Sequence, residues 1–358
     1  LITYTFKIKT TKTLENIFIE HLNTTRCIYN LAKEVKEIAY SKGVKLSKYD
    51  LSKQLPELKK ECKWISNVNA QTLQGVIERL YKGYDKFFKD LKRGVKVSKP
   101  HWASKRKWKS IEFKQNSNIL RFEKNKFKLP KIGLIKIFKS REVNGNIKLT
   151  RVVKKADGWY LQIVTDYERP KCENQAKIGC DLGIKHFLVT SDGQYFENIN
   201  TAKKFKKKLR VAQRSLSRKK KGSNNWYKQV ERIKKLYLKI QRVREDYLHK
   251  ISNDLASNYQ YIFLEDLKVS KMIQNKNYSK SISDVSWSKF SSYLEYKTNV
   301  TKVDAKYSSQ ECNNCGHISK ENRPNQETFK CVKCSHSGNA DENAAKVVRK
   351  RGVARLLK

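Results

Sequence analysis

The chain has 358 residues, enough for two or three structural units, because single hydrophobic cores stop growing near ~250 to 300 residues. Lys and Arg number 79 against 34 Asp and Glu, a formal charge of +45, and that much self-repulsion calls for a polyanionic partner, nucleic acid first. Hydrophobic residues at 38% and aromatics at 11%, with clear periodicity, argue against a disordered polyelectrolyte. The lack of an apolar run of about 18 residues or of a signal peptide argues against a membrane partner and for an intracellular, cytoplasmic protein working at the nucleoid. Leu1 rather than Met opens the chain, so an initiator or a few residues are expected before it.

Ile2 to Thr10 alternates as a half-buried strand. Apolar residues then recur at three and four from Thr13 to about Tyr40, and again from Asn69 to about Leu91, predicting helices. From Ile111 to Tyr167 short alternating segments (FEKNKFKLP, LIKIF, IKLTRVV, GWYLQIVTDY) are separated by Asn-Gly, Asp-Gly and Pro turns. This predicts a β-barrel or sheet that takes in the N-terminal strand, with the helices inserted into it. After a polar link, Pro170 to Ala176, an apolar strand spans Ile178 to Ile184 and a hairpin follows through Asp192-Gly193. Thr201 to Lys250 carries 19 Lys or Arg against three acids, with Leu209, Val230, Ile233, Leu236 and Ile240 at helical spacing. Two helices broken near Gly222-Ser223 are expected; a solvated face explains the charge, and Trp226 and Tyr227 among it favour a nucleic-acid backbone face. YIFLEDLKV reads as a buried strand ending at Glu265 and Asp266, Ser283 to Lys297 as an amphipathic helix, Val303 as a short strand, and Asp341 to Leu357 as a final helix.

Strand, hairpin, long helix, acid-ended strand, helix, strand, helix is the order of an RNase H-like α/β unit. Asp181 in the first strand, Glu265 and Asp341 fall where such a unit carries its acids. Buried carboxylates need a cation or donors, and hard oxygens suit two Mg²⁺ ions about 4 Å apart that activate a water and stabilise a leaving oxygen. Asp181 is expected to bridge both ions, with Glu265 and Asp341 each holding one. Singly, each acid has a plainer explanation, such as helix N-capping for Asp341. Asp266, the rival of Glu265, alternates onto the opposite strand face.

Of the eight cysteines, Cys27, Cys62, Cys172 and Cys180 are scattered and expected as reduced, buried thiols. Cys312, Cys315, Cys331 and Cys334 form C-x2-C-x15-C-x2-C, two chelating knuckles supplying four thiolates to one structural Zn²⁺. His317 and His336 stand beside the knuckles as substitutes for a sulfur, and Asn313, Asn314, Lys320, Arg323 and Lys333 give this segment a surface expected to touch nucleic acid as well.

The residues GCDLGIKHFLVT, FLEDL, YSSQECNNCGH, CVKC and NADENAAKVV resemble the signature series of the TnpB family of transposon-encoded nucleases, which is similar to the compact type V CRISPR effectors. The resemblance is specific over Ile178 to Val348 and looser over KPHWASKRKWKSIEF and NAQTLQGVIERLYKGYDKFF. It implies a multi-unit α+β protein: a wedge-like β-barrel from 1–12 and 98–172, a helical recognition insertion at 13–97, and a RuvC-like domain at 173–358 with an inserted zinc knuckle at 307–338. It further implies a monomer on one noncoding guide RNA, recognition of a short motif flanking a double-stranded DNA target, an RNA-DNA heteroduplex, and cutting of both strands at one RuvC site. Gln71 and Gln74 are then candidates for adenine edges, with Arg79 and Lys82 on phosphate. A catalytically inactive RNA-bound repressor and a guide-free nuclease or transposase are the alternatives. Two departures stand out: Asn339-Ala340 replaces the common Asp-Arg before Asp341, and LEYKTNVTKVD is several residues shorter than the usual connection.

Overall fold

The alternating N-terminal segment forms strand β1 (Ile2–Ile8), which buries Tyr4, Phe6 and Ile8. Helix α1 (Lys12–Ser41) follows, capped by the Thr11 hydroxyl, and then three short helices that the periodicity does not announce: α2 (Lys48–Lys53), α3 (Leu55–Glu61) and α4 (Lys63–Ser66). Helix α5 (Ala70–Lys92) buries Leu73, Val76, Ile77 and Leu80 along one stripe. Strands β2 (Ser110–Phe113), β3 (Phe122–Glu123), β4 (Lys126–Leu129), β5 (Gly133–Phe138), β6 (Ile147–Lys155) and β7 (Gly158–Thr165) complete a seven-stranded sheet of order β2-β6-β7-β1-β5-β4-β3. Its paired neighbours are antiparallel, and β1 lies between β7 and β5. Among the described residues no ladder joins β2 to β3, so this is a curled sheet. Phe18 of α1 lies against Trp159 of β7, ring centroids 4.8 Å apart, in a core shared by strands and helices.

The computed structural model describes residues 1–114, 120–274 and 279–357, which divide into one unit of Leu1–Glu168 and another of Arg169–Lys358. Part of the segment expected to be β-rich, residues 115–119, lies outside the described residues. Cys180 is the one scattered cysteine that is buried; Cys27 is exposed, and Cys62 and Cys172 are half-buried, Cys62 packing against the edge of the core.

In the second unit, β8 (Lys177–Asp181), β9 (His186–Thr190), β10 (Tyr195–Glu197), β11 (Tyr261–Glu265) and β12 (Asn299–Val303) form a sheet of order β10-β9-β8-β11-β12. β11 runs parallel to both β8 and β12, while β9 is antiparallel to β8 and to β10. Between β10 and β11 come the basic helices α6 (Thr201–Ser217) and α7 (Asn224–Asn258). The amphipathic segment expected as one helix from Ser283 is two, α9 (Ser279–Val285) and α10 (Trp287–Glu295), after a short α8 (Val269–Met272). Ser286 breaks it at φ 61°, a left-handed conformation that ends one helix and turns the chain into the next. The turn serves a neighbour: Asp284 accepts from Thr201 Oγ1 (2.6 Å) and Ala202 N (2.9 Å), capping α6, whose own Asn200 makes no side-chain cap. Strands β13 (Thr328–Lys330) and β14 (Ser337–Asn339) lead into α11 (Ala340–Leu356).

Candidate active site and metal-binding cysteine cluster

Strand period two divides β8 and β11 into opposite faces. Ile178, Cys180, Leu182, Ile262 and Leu264 enter one apolar core, packed with Leu248, Ile251 and Leu255 of α7. The other face carries Gly179 and Asp181 on β8 and Phe263 and Glu265 on β11, and α11 lies on it. The fit is close at two glycines. A Cβ on Gly179 would stand 2.2 Å from the Ala345 carbonyl oxygen and 2.5 Å from Arg349 N, and one on Gly352 would stand 2.1 Å from the Phe263 ring. Each contact lies two residues before a strand-end carboxylate, so the packing of α11 also sets where Asp341, in its first turn, meets Asp181 and Glu265.

Leu264 pairs with Cys180 in the parallel ladder, so Glu265 and Asp181 are the next residues on adjacent strands, whose spacing is about 4.8 Å. Both end their strands at the carboxyl edge, where open α/β sheets place their sites. Asp266 lies past the strand end and is exposed. The capping role that would explain Asp341 belongs to Asn339, whose Oδ1 accepts from Asp341 N (2.9 Å) and Glu342 N (3.2 Å). This leaves the Asp341 carboxylate free of the cap, and one of its oxygens pairs with Arg323 Nη2 at 3.0 Å.

Asp181 feels the other two acids. Burial raises the Asp181 carboxyl well above the usual carboxylate range, the charges of Glu265 and Asp341 raise it further, and Arg323 and the Leu182 N–H oppose them. Burial raises Glu265, and the Ser308 hydroxyl and Arg351 oppose it. Such a cluster repels its own negative charge and is stabilised by cations. Four other ligand atoms converge nearby in the chain: the Sγ atoms of Cys312, Cys315, Cys331 and Cys334 all lie within 4.8 Å of one another.

Those sulfurs fit a tetrahedral ion. Cys312 Sγ to Cys334 Sγ is 3.7 Å and Cys315 Sγ to Cys331 Sγ 3.6 Å, near the ~3.8 Å edge of a tetrahedron with ~2.3 Å metal–sulfur bonds, and too long for disulfides. The backbone N–H of His336 and the neighbouring sulfurs hold the Cys334 thiol down to about 6. The N–H of His317 acts likewise on Cys315, but burial and hydrogen bonds with the other sulfurs leave it pushed up to about 11. The His336 ring instead meets Asn313 Nδ2 at 3.0 Å, and the four sulfurs close the cage without it.

The cysteine segment also reaches the acids, a feature the sequence does not announce. Ser308 donates to Glu265 Oε1 at 2.6 Å, Arg323 pairs with Asp341, and Asn313 donates through N (3.0 Å) and Nδ2 (2.6 Å) to Asn343, two residues past Asp341. The remaining candidates lie elsewhere. On α5, Gln71 and Gln74 are exposed, Arg79 sits 4.3 Å over the Trp108 ring, and Lys82 pairs with Glu78 at 2.9 Å. On α7, Trp226 is half-buried edge-on to an exposed Tyr227.

Residues 161–276 match the family model described as "Probable transposase", and 287–348 match "Cas12f1-like, TNB domain". The fold resembles a cryo-EM structure of a Cas12f1-sgRNA-target DNA complex, with a TM-score of 0.57 at 16% identity over 95% of this chain and 83% of that one. It is thus a mixed α/β protein of Cas12f-like fold with a four-cysteine cluster that could hold a metal ion. The chain is 32% identical over 318 residues to the putative RNA-guided DNA endonuclease InsQ of Escherichia coli K12, covering 83% of this chain and 78% of that protein. A putative RNA-guided DNA endonuclease of Streptomyces pristinaespiralis is 29% identical over 345 residues, 92% of this chain and 84% of that one. The chain belongs to the TnpB family. Among the described residues no helix is long and apolar enough to cross a membrane.

Proposed function

We propose that this protein is an RNA-guided DNA endonuclease that binds a noncoding guide RNA, recognises a short motif beside its double-stranded target and cleaves DNA at one RuvC-like site. The observation that carries the reading is that Asp181, at the carboxyl edge of a sheet whose order, two antiparallel strands and then two parallel ones around β8, is that of RNase H-like nucleases, feels the charges of both Glu265 and Asp341. Asp181, Glu265 and Asp341 would hold two Mg²⁺ ions, which would supply a water of lowered pKa and neutralise charge at the scissile phosphate. Arg323 pairs with Asp341 and opposes the negative charge of the acids. Zn²⁺ in the four-cysteine cage is structural, since four sulfurs leave no open position for water.

The net charge of +45 supports a guide-duplex partner, read through its backbone while base pairing supplies sequence specificity. Residues 1–12 and 98–172 are read as the wedge, 13–97 as the recognition insertion carrying Gln71, Gln74, Arg79 and Lys82, and 173–358 as the nuclease domain. Sequencing the RNA that copurifies with the chain and supplying DNA that matches it tests the function. Cleavage is expected only with Mg²⁺ and intact RNA; cutting that survives RNase treatment points to a guide-free nuclease, and binding without cutting to a repressor.

A further inference from the structure

Ser308 stands four residues before Cys312, at the root of the cysteine segment, and is 5% exposed. Its Oγ lies 2.6 Å from Glu265 Oε1 and 3.0 Å from the Ala305 carbonyl. A hydroxyl has one proton to give, and the shorter, charge-assisted bond to the carboxylate takes it. The nearby cation, Arg351, is spent elsewhere, on Glu311 Oε2 (2.5 Å) and on the carbonyls of Asp304 (2.6 Å) and Lys306 (2.9 Å).

We propose that Ser308 is a positioning residue: its hydroxyl locks the Glu265 carboxylate through Oε1 and thereby presents Oε2 to a divalent cation. This rests on the reading of Asp181, Glu265 and Asp341 as the metal-binding acids. Ser308, Arg323 and Asn313 all belong to the segment that the four cysteines fold, and they reach Glu265, Asp341 and Asn343 respectively. The cysteine module is therefore a scaffold for the carboxylate centre, and the hydroxyl is its link to β11. Partners of this kind fix a ligand's orientation, and their loss costs about 10–100-fold in metal affinity or activity.

The test uses the full chain loaded with its copurifying RNA. Fe²⁺ replaces Mg²⁺, and with ascorbate and peroxide it cuts the polypeptide beside its own binding position, so the Fe²⁺ needed for half-maximal cutting near Asp181 and Glu265 reports the centre without DNA cleavage. For Ser308→Ala this concentration is expected to rise about 10-fold or more, with one zinc per chain and an unchanged melting midpoint, and Ser308→Thr is expected to restore it. The Mg²⁺ requirement of DNA cleavage should shift in parallel. The proposal is overturned if Ser308→Ala stays within twofold of wild type, or if its weakened binding comes only with lost zinc and a lowered melting midpoint. A wild-type chain that neither cuts itself near these acids nor cleaves DNA overturns the nuclease reading, and this proposal with it.

Discussion

Gly179→Ala probes whether the close packing of α11 on the sheet sets the site. The added Cβ would meet the Ala345 carbonyl oxygen at 2.2 Å, where ordinary contact begins at 3.4 Å, and the opposing atoms are backbone that cannot rotate away. The helix must withdraw by about 1 Å, and overpacking of this kind costs ~1–3 kcal/mol. At about 2–4 °C per kcal/mol for a unit of this size, the melting midpoint should fall by several degrees. Asp341 rides on the displaced helix, and a misplacement of about 1 Å costs about 10²-fold in rate. The assay is single-turnover cleavage of guide-matched DNA at saturating protein, with melting and DNA affinity measured alongside. Gly338→Ala is the control, since a Cβ there meets nothing within 4 Å. Cleavage within twofold of wild type and an unchanged melting midpoint for Gly179→Ala would refute the claim that this contact places the acids.

Cys331→Ser should release the bound zinc, measured by metal analysis of the purified chain, and weaken the cation affinity of the carboxylates along with it. One zinc per chain retained in that variant would contradict the four-sulfur cage. Lys297 is 2% exposed, with its ammonium 2.5 Å from Ser252 Oγ and 5.6 and 5.5 Å from the Tyr293 and Tyr296 rings. Burial and the charge of Arg169 pull it down to about 8. Below that pH the folded chain bears the cost of a buried charge, and the cost fades as pH rises toward the ordinary lysine value of about 10.4. Wild type should therefore gain on Lys297→Met between pH 8 and 10 in chemical denaturation; a constant difference would show that the ammonium is not perturbed.

Several elements were legible because their physics is local. The helical periodicity of α1, α5 and α7 and the alternation of β1 and β4 to β7 were written in the residues. So was the cysteine spacing, since two tight knuckles carry their own geometry. The acids could be proposed as a set only because each ends or opens an element whose order along the chain is readable. What sequence periodicity could not supply was packing between elements. Nothing in Gly179 or Gly352 announces that helix backbone or an aromatic ring comes within a Cβ's reach, and nothing in Ser308 announces a partner 43 residues earlier. The helix break at Ser286 is likewise imposed from outside, by the need to bring Asp284 to the start of α6. The plainer reading of Asp341 as the α11 cap misses by two residues, because Asn339 and Asp341 are both good caps. Strand β14 ends at Asn339, which decides which of the two sits at the boundary.

The account stands most directly on Asp181. Asp181→Ala, loaded with the same RNA and given matching DNA and Mg²⁺, should bind the target with near wild-type affinity and cut neither strand. Retained cleavage by that variant would contradict the three-acid centre, and with it the catalytic role assigned to Glu265 and Asp341.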